Sequence, residues 1–283
     1  MDTRKTMDVR QPAVAGTFYP AEPAALRGAV DRLLAGVAAP AGPAPGAAFE
    51  PEAPKALIVP HAGYIYSGPT AAAAYVRLRP GADTVRRVVL LGPAHRVLVR
   101  GLALPGVARF ATPLGVVTID AAAAAVARRL PQVGESPAAH AHEHALEVQL
   151  PFLQRVLRDF TLVPLVVGDA TGAMVAEVLD ALWGGPETLI VVSSDLSHYH
   201  PYREAQALDR TTAERILAFA PGLDHEQACG ATPINGLLLA ARRRGLVPEL
   251  LDLRNSGDTA GDRERVVGYA AFGFREGSAH AVH

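Results

Sequence analysis

The sequence predicts an α/β fold: a single domain with a mainly parallel or mixed central sheet covered by helices on both faces. Two observations predict it. Short β-branched runs alternate with stretches of helical periodicity, which is typical of parallel sheets covered by helices. Hydrophobic residues make up 49% of the 283 residues, enough for a substantial core, and the length fits one α/β domain over residues 1–283.

Apolar runs bounded by turn residues indicate buried strands. They are Ala56–Pro60, Arg87–Leu91, Thr161–Val167 and Thr188–Ser193. Val266–Phe274 indicates a final strand, and Gly101–Pro105 and Val116–Ile119 indicate a hairpin or edge strands. Apolar residues at spacings of three and four predict the helices. These are Glu22–Val37, Pro69–Arg77, Ala121–Leu130, Ala145–Leu157, Gly172–Leu182, Tyr202–Phe219 and Pro233–Arg244.

The segment at about 38–54 is rich in Ala, Pro and Gly and has no apolar period. This composition predicts a flexible, partly polyproline loop. It does not indicate a domain boundary, because the residues before it are too few for a typical domain core.

The composition excludes several classes of protein. Lys and Arg total 27 and Asp and Glu total 28, a balance that argues against a general nucleic-acid or membrane-surface binder. The single cysteine, Cys229, forms no intrachain disulfide, and nothing points to an oxidising compartment. The apolar runs are far shorter than a membrane helix, and the polar N-terminus lacks a secretory signal. We therefore expect a soluble, cytoplasmic protein.

Three of the ten histidines, His61, His95 and His198, each follow a predicted strand within a few residues. In open α/β sheets, ligands bind beyond the carboxyl ends of the strands. If these three strands are neighbours, three imidazoles meet in one place. Imidazole is the commonest metal ligand and also moves protons near pH 7, so the pattern predicts a metal or proton-transfer site. The alternative for each residue is a hydrogen-bonded loop histidine.

Cys229 lies just before the predicted helix that Thr232 can cap. A helix N-terminus carries a partial positive charge, which favours the thiolate. A thiolate at this position is either a metal ligand or a nucleophile. The alternative is a small buried hydrophobic residue, which is the usual role of a lone cysteine.

Asp195 lies three residues before His198, so its carboxylate either orients that imidazole or caps a following helix. Ser193, Ser194 and Ser197 lie nearby and raise the alternative of a Ser-His-Asp hydrolase. The sequence lacks the Gly-x-Ser-x-Gly elbow, which weakens that alternative. Phosphate-loop and dinucleotide glycine patterns are also absent from the sequence.

Residues 140–152 are dense in ionisable groups. On a helix, His144 and Glu147 share a face, so the pair could bind metal or relay a proton. His140 and His142 alternate in a polar stretch, which favours solvated side chains. Five tyrosines flank the histidine segments and either line a pocket or close the edge of the core. They are Tyr64, Tyr66, Tyr75, Tyr199 and Tyr202.

Six ordered segments spread over most of the chain carry a joint resemblance. They are RQPAVAGTFYP at 10–20, VPHAGYIYSG at 59–68, LGPAH at 91–95, EHALEVQLPF at 143–152, VSSDLSHY at 192–199 and CG at 229–230. Together they resemble the Memo family, which includes the bacterial proteins called AmmeMemoRadiSam system protein B. The resemblance implies a fold like that of the class III extradiol ring-cleaving dioxygenases.

The resemblance also implies a metal site for iron or copper, made of two histidines and a cysteine. The matching positions are His61, His95 and Cys229. Asp195 and His198 match the acid and the histidine beside that site, and in the dioxygenases the histidine in this region is an acid/base group. Those dioxygenases hold iron with two histidines and a carboxylate, so a cysteine in the third position departs from their pattern.

Two functions follow as hypotheses. The first is a redox-active metalloenzyme with one metal ion, iron or copper and alternatively zinc, in which His198, oriented by Asp195, passes a proton and His144 assists. Its substrate would be a small molecule or a peptide. The second is a non-catalytic module that binds a peptide or protein in the same pocket. The resemblance suggests radical-SAM and companion proteins of the same system as partners, and neither nucleic acid nor membrane is expected.

Overall fold

A mixed nine-stranded sheet forms the centre of the molecule. The structure is a computed structural model that describes residues 8–38, 53–220 and 222–277. The strands of the sheet are β2 (Ala56–Val59), β3 (Arg87–Pro93), β4 (Leu102–Leu104), β7 (Val133–Glu135), β8 (Thr161–Val167), β9 (Thr188–Ser193), β10 (His198–His200), β11 (Leu246–Asn255) and β12 (Val266–Glu276). A second, three-stranded sheet contains β1 (Val9–Arg10), β5 (Arg109–Thr112) and β6 (Gly115–Thr118).

The middle of the large sheet is parallel, in the order β2, β9, β3, β8. Antiparallel pairs flank this centre, with β12 against β2 on one side and β4 against β8 on the other. Every residue of β2 and β9 is buried. Strands covered on both faces read as continuous apolar runs, which explains why these strands are evident in the sequence.

Helices flank the sheet, so the predicted fold class is confirmed. They are α1 (Pro23–Ala35), α2 (Tyr64–Tyr75), α3 (Ala121–Ala127), α4 (Pro137–Ala141), α5 (Leu150–Val156), α6 (Gly172–Leu182), α7 (Tyr202–Leu217) and α8 (Ala231–Arg243). Helices α1, α2 and α5 pack together, and α6 packs against α8. Across the described residues, no helix combines the length and the apolarity that crossing a membrane requires.

Some predicted elements are wrong in extent or pairing. The predicted helix Ala145–Leu157 begins only at Leu150, after a single 3-10 turn, because the Ala145 amide and carbonyl bond to side chains of other residues. The two segments predicted as a hairpin or edge strands do not pair with each other: β4 lies inside the large sheet between β8 and β7, whereas β6 forms a hairpin with β5 at the edge of the small sheet, as predicted for Val116–Ile119. The predicted loop at 38–54 lies largely outside the described residues.

The strand β11 is absent from the sequence prediction. It is half-buried along almost its whole length, and it contains Pro248 and several charged residues. Such a strand shows neither a continuous apolar run nor a period of two, which are the two signals of a strand in a sequence. It forms nonetheless because it pairs along its length with β12.

A buried ion pair between Arg10 and Glu147 joins the N-terminal segment to residues 140–149. Glu147 also accepts hydrogen bonds from the amides of Ala13 (2.7 Å) and Val14 (3.0 Å) and from the Tyr19 hydroxyl. These partners use both carboxylate oxygens. The predicted pairing of Glu147 with His144 is therefore wrong.

His140 is buried, at 2% exposure, and the prediction of a solvated side chain is wrong for this residue, whereas His142 is exposed as expected. Its Nε2 donates to the carbonyl of Ala103 at 2.7 Å, and its ring meets Phe110 edge-on. Its Nδ1 has no partner anywhere in residues 8–38, 53–220 and 222–277. Burial lowers the pKa of His140 from 6.5 to about 4.

This pKa shift predicts a loss of stability in mild acid. Between pH 6.5 and 4 the unfolded chain binds a proton at His140 and the folded protein does not, so stability falls as the pH falls. The shift corresponds to about 3 kcal/mol. Replacing His140 with Gln removes this term, so the difference in free energy of unfolding between wild type and H140Q should change across that interval and stay constant above it.

Urea denaturation over a pH series measures the effect, and H142Q, at an exposed position two residues away, is the matched control. A wild-type minus H140Q difference that does not vary with pH would show that folding does not perturb this histidine.

Candidate metal centre

The carboxyl ends of β2, β9 and β3 lie side by side at one edge of the sheet. His61 follows β2 by two residues, His95 follows β3 by two, and Asp195 and His198 follow β9. The three strands are thus neighbours, which is the condition for the three histidines to meet in one place. Because all three are parallel, their following loops converge on one place.

Cys229 joins two of these histidines from the loop before α8. Its Sγ lies 3.3 Å from Nε2 of His61. Ligand atoms of His61, His95 and Cys229 all lie within 4.8 Å of one another. His61 is buried, Cys229 is half-buried and His95 is exposed, so the cluster opens to solvent on the His95 side.

These donors fit a metal ion. An ion that holds nitrogen at about 2.0 Å and sulfur at about 2.3 Å in tetrahedral geometry places those two donors about 3.5 Å apart. The 3.3 Å separation of His61 Nε2 and Cys229 Sγ is close to this value. The same separation also suits a hydrogen bond in which the thiol donates to the imidazole. Metal binding itself stays a prediction.

The hydrogen bonds of Ser193 set the tautomer of His61. Ser193 Oγ donates its hydrogen to the carbonyl of Ala145 at 2.7 Å and accepts from Nε2 of Gln149 at 2.8 Å. It can therefore only accept from Nδ1 of His61, at 2.9 Å. The Nε2 lone pair is left facing Cys229. Burial, and then the charge of His95, lower the pKa of His61 to about 3, which keeps the ring neutral.

Glu143 sets the tautomer of His95 in the same way. Its carboxylate accepts from Nδ1 of His95 at 2.9 Å and from the His95 amide at 2.7 Å. Burial raises the pKa of Glu143, but the bonds from His95 and from the Ala145 amide outweigh burial and bring the pKa to about 2. An ionised carboxylate on Nδ1 holds the ring in place and leaves the Nε2 lone pair available.

His198 and Asp195 lie beside the cluster, but they do not form the pair that the sequence suggested. Nδ1 of His198 donates to the carbonyl of Leu196 at 2.8 Å, and the Asp195 carboxylate accepts from the amide of His61 at 2.7 Å. The helix-cap alternative for Asp195 is wrong as well, since the next helix begins at Tyr202. Burial raises the pKa of Asp195, and the charge of His198 opposes this shift.

His144 lies within the group of imidazoles. Its ring stacks on His95 with 4.7 Å between centroids, meets His61 edge-on at 5.4 Å and contacts Phe18. Its Nδ1 is 3.4 Å from Glu143 Oε1 but is not aligned for a hydrogen bond. Burial, followed by the charge of His61, lowers the pKa of His144 to about 4.

The thiol of Cys229 differs from the thiolate that its place before a helix suggested. Burial raises the pKa of Cys229 to about 12, so desolvation outweighs the helix N-terminus. A coordinated thiol is deprotonated by the ion itself. Gly230 lets this loop approach β9, because a Cβ at Gly230 would lie only 2.7 Å from the Cβ of Ser194.

Serines and tyrosines near the cluster have other roles. Ser193 is fully buried and donates its hydrogen to the Ala145 carbonyl, so Ser193 is not placed as a nucleophile activated by His61. Tyr64 and Tyr75 are buried and donate to the Val148 carbonyl and the Gln149 amide oxygen. The other three of the five tyrosines that flank the histidine segments are at least partly exposed. They are Tyr66, Tyr199 and Tyr202.

Sequence reasoning missed the residues behind the histidines. Glu143, Ser193 and Gln149 hold His95 and His61, yet none was assigned this function from the sequence. The acid next to His144 in the dense ionisable segment was the available signal for Glu143. Sequence alone gave no signal for Ser193 and Gln149, because their roles depend on contacts between distant parts of the chain.

Comparisons with known proteins agree with this architecture. A family model described as Memo-like protein matches residues 10–273. The chain is 39% identical to a MEMO1 family protein of Aquifex aeolicus, over 93% of this chain and 98% of the relative. It is 37% identical to a MEMO1 family protein of Methanopyrus kandleri, over 95% and 99% of the two chains.

A MEMO1 family protein of Sulfolobus acidocaldarius is 33% identical over 94% of this chain and 99% of the relative. The family model covers all the segments described above, from Arg10 through the loop that carries Cys229. The relatives align over nearly their whole lengths. The chain therefore belongs to the Memo family.

Proposed function

We propose that the protein binds one iron or copper ion at His61, His95 and Cys229 and uses it for oxidoreductase chemistry of the dioxygenase type. The observation that carries the proposal is the convergence of three donor atoms, from three separate loops, within 4.8 Å of one another. Both histidines bond through Nδ1 to acceptors, which leaves Nε2 free for a ligand bond.

The donor set favours a transition metal. Imidazole and thiolate suit iron and copper, and also zinc, better than magnesium or calcium. When bound, iron or copper would supply one-electron chemistry with dioxygen or with a small-molecule or peptide substrate. Three protein ligands leave room for a further ligand, and the exposed side of His95 gives access to it.

His198 is the group best suited to move a proton in this site. Its Nδ1 hydrogen is fixed on the Leu196 carbonyl, so its Nε2 can accept a proton from a substrate and return it. Asp195 holds the His61 amide, and its charge interacts with that of His198. His144, stacked on His95, is a second proton-carrying group beside the cluster.

The ligand assignment predicts that replacing any one of the three donor residues weakens metal binding. H61A, H95A and C229S should each weaken binding by about 100-fold or more, because removing a residue that only hydrogen-bonds to a metal ligand already costs about 10- to 100-fold. Metal content by mass spectrometry and affinity by competition with a chelator, on protein purified without a metal-binding tag, measure this. H142A, at an exposed histidine, is the control and should bind as wild type does. A folded triple variant that retains one equivalent of metal would refute the assignment.

Redox function predicts oxygen consumption that depends on the metal and on His198. The iron- or copper-loaded protein, supplied with ascorbate as reductant, should consume oxygen, and H61A should not. H198Q should keep its metal and consume oxygen about 100-fold more slowly, the usual loss when a proton-transfer group is removed. Stoichiometric metal without oxygen uptake above that of the free ion would count against redox chemistry.

A second function, binding of a protein partner over the same pocket, is favoured by exposed apolar side chains. Ile65, Leu98 and Tyr199 are 69%, 87% and 62% exposed, and each lies within about four residues of His61, His95 or His198 along the chain. Isolated exposed apolar residues are ordinary, but three around one site are typical of an interaction surface.

The partner to test is the radical-SAM protein of the same system. I65S and L98S should each weaken its association about tenfold in analytical ultracentrifugation, while V116S, at an exposed apolar position on β6, should not. Equal binding by all three variants would exclude this surface.

A further inference from the structure

One short segment, residues 143–149, supplies the hydrogen-bond partner of His95 and two partners of Ser193, the residue that bonds to His61. Glu143 accepts from Nδ1 of His95. The Ala145 carbonyl takes the hydrogen of Ser193, and Gln149 donates to the same hydroxyl, which leaves Ser193 able only to accept from His61. The position of this segment therefore decides which nitrogen of each ring carries the hydrogen.

The segment has little regular structure of its own. Only Glu147–Gln149 forms a 3-10 turn before α5, and residues 142–146 are irregular. A segment that lacks the backbone hydrogen bonds of a helix or a strand is held in place by hydrogen bonds to other parts of the chain. Five of those bonds come from N-terminal residues: two from Arg10 and one each from the Ala13 amide, the Val14 amide and the Tyr19 hydroxyl.

Arg10 supplies two of these bonds and makes a third to His140, just before the segment. Its Nε donates to the carbonyl of His140 at 2.9 Å, its Nη2 to the carbonyl of Glu143 at 2.6 Å, and its Nη1 to the carboxylate of Glu147. Both Arg10 and Glu147 are buried, at 6% and 0% exposure. Solvent water therefore has little access to replace these bonds.

The bond to the Glu143 carbonyl is the direct link to the candidate metal site. Glu143 accepts a hydrogen bond from Arg10 through its carbonyl oxygen and one from His95 through its carboxylate. The bond to Glu147 fixes the next turn, which leads to Gln149. Arg10 thus reaches both histidines through one intermediate segment and touches neither.

We propose that Arg10 is a positioning residue of the metal centre: its guanidinium fixes residues 143–149 so that His95 and His61 keep their hydrogens on Nδ1 and their lone pairs on Nε2. The role in metal binding rests on the proposed function. The control of the tautomers does not, because it is a property of the metal-free protein.

Arginine is suited to this role and lysine is not. A guanidinium presents donors in a rigid planar fork, which matches three acceptors in different directions, whereas an ammonium is a compact point charge. R10K keeps the positive charge next to Glu147 but cannot reach the carbonyls of His140 and Glu143 in the same geometry. It therefore tests positioning without leaving Glu147 unpaired.

The first measurement uses metal-free protein labelled with nitrogen-15. Long-range nitrogen–proton spectra of the imidazoles should show the Nδ1–H tautomer for His61 and His95 in wild type. R10K should show a mixture of tautomers for His95 and a smaller change for His61. The control is R109K, since Arg109 joins the same N-terminal segment through an exposed ion pair with Asp8 at 3.6 Å and lies outside this network.

The second measurement is the affinity for iron(II) and copper(II). R10K should bind each ion about 10- to 100-fold more weakly, the usual effect of losing support behind a ligand, and R109K should match wild type. Unchanged tautomers and affinity in a folded but less stable R10K would reduce Arg10 to a structural residue and overturn the proposal. Wild type that binds no metal, with tautomers that still respond to R10K, would refute the proposed function and support the positioning role.

A third variant covers the case in which R10K does not fold. R10A with millimolar ethylguanidinium restores the planar donor group, and ethylammonium is the control. Ethylguanidinium should return His95 to the Nδ1–H tautomer. Recovery of stability with both compounds, and of the tautomer with neither, would overturn the proposal.

Discussion

Parallel pairing of β2, β9 and β3 is the constraint on which the candidate metal centre depends. Parallel strands all end at the same edge, and each loop leaves the sheet there. Two imidazoles from residues 61 and 95 therefore meet the loop after β9 without any strained backbone at either ligand. Cys229 reaches the two imidazoles from the loop before α8. Gly230 allows this loop to approach Ser194 closely. The candidate ligand set is thus assembled from parts of the chain that are far apart in sequence.

Hydrogen bonds behind the histidines give the cluster its chemical character. A serine that has already donated its hydrogen and a carboxylate that is ionised are both pure acceptors towards Nδ1. The two rings therefore present lone pairs to the same space. Burial keeps His61 and His144 neutral, so the cluster avoids the repulsion that several protonated imidazoles would produce.

Much of the fold follows from local sequence patterns. The bounds of β8, β9 and α6 agree with the predicted ones, because buried parallel strands and amphipathic helices have strong periodic signals. The strand β11 has no such signal and depends on pairing with β12. The convergence of His61, His95 and His198 could also be expected from their positions after strands. The role of Glu143 and the burial of His140 were not predicted, since Glu143 bonds to His95, 48 residues away, and His140 bonds to Ala103 and packs against Phe110.

The solvent exposure of the three donor residues differs from one side of the cluster to the other. His95 borders solvent, Cys229 is half-covered and His61 lies at the bottom. A metal ion that His61, His95 and Cys229 held would be reached by solvent or by a competing chelator from the His95 side. Substitution at His95 would therefore change access to the candidate site, whereas substitution at His61 would change its buried base.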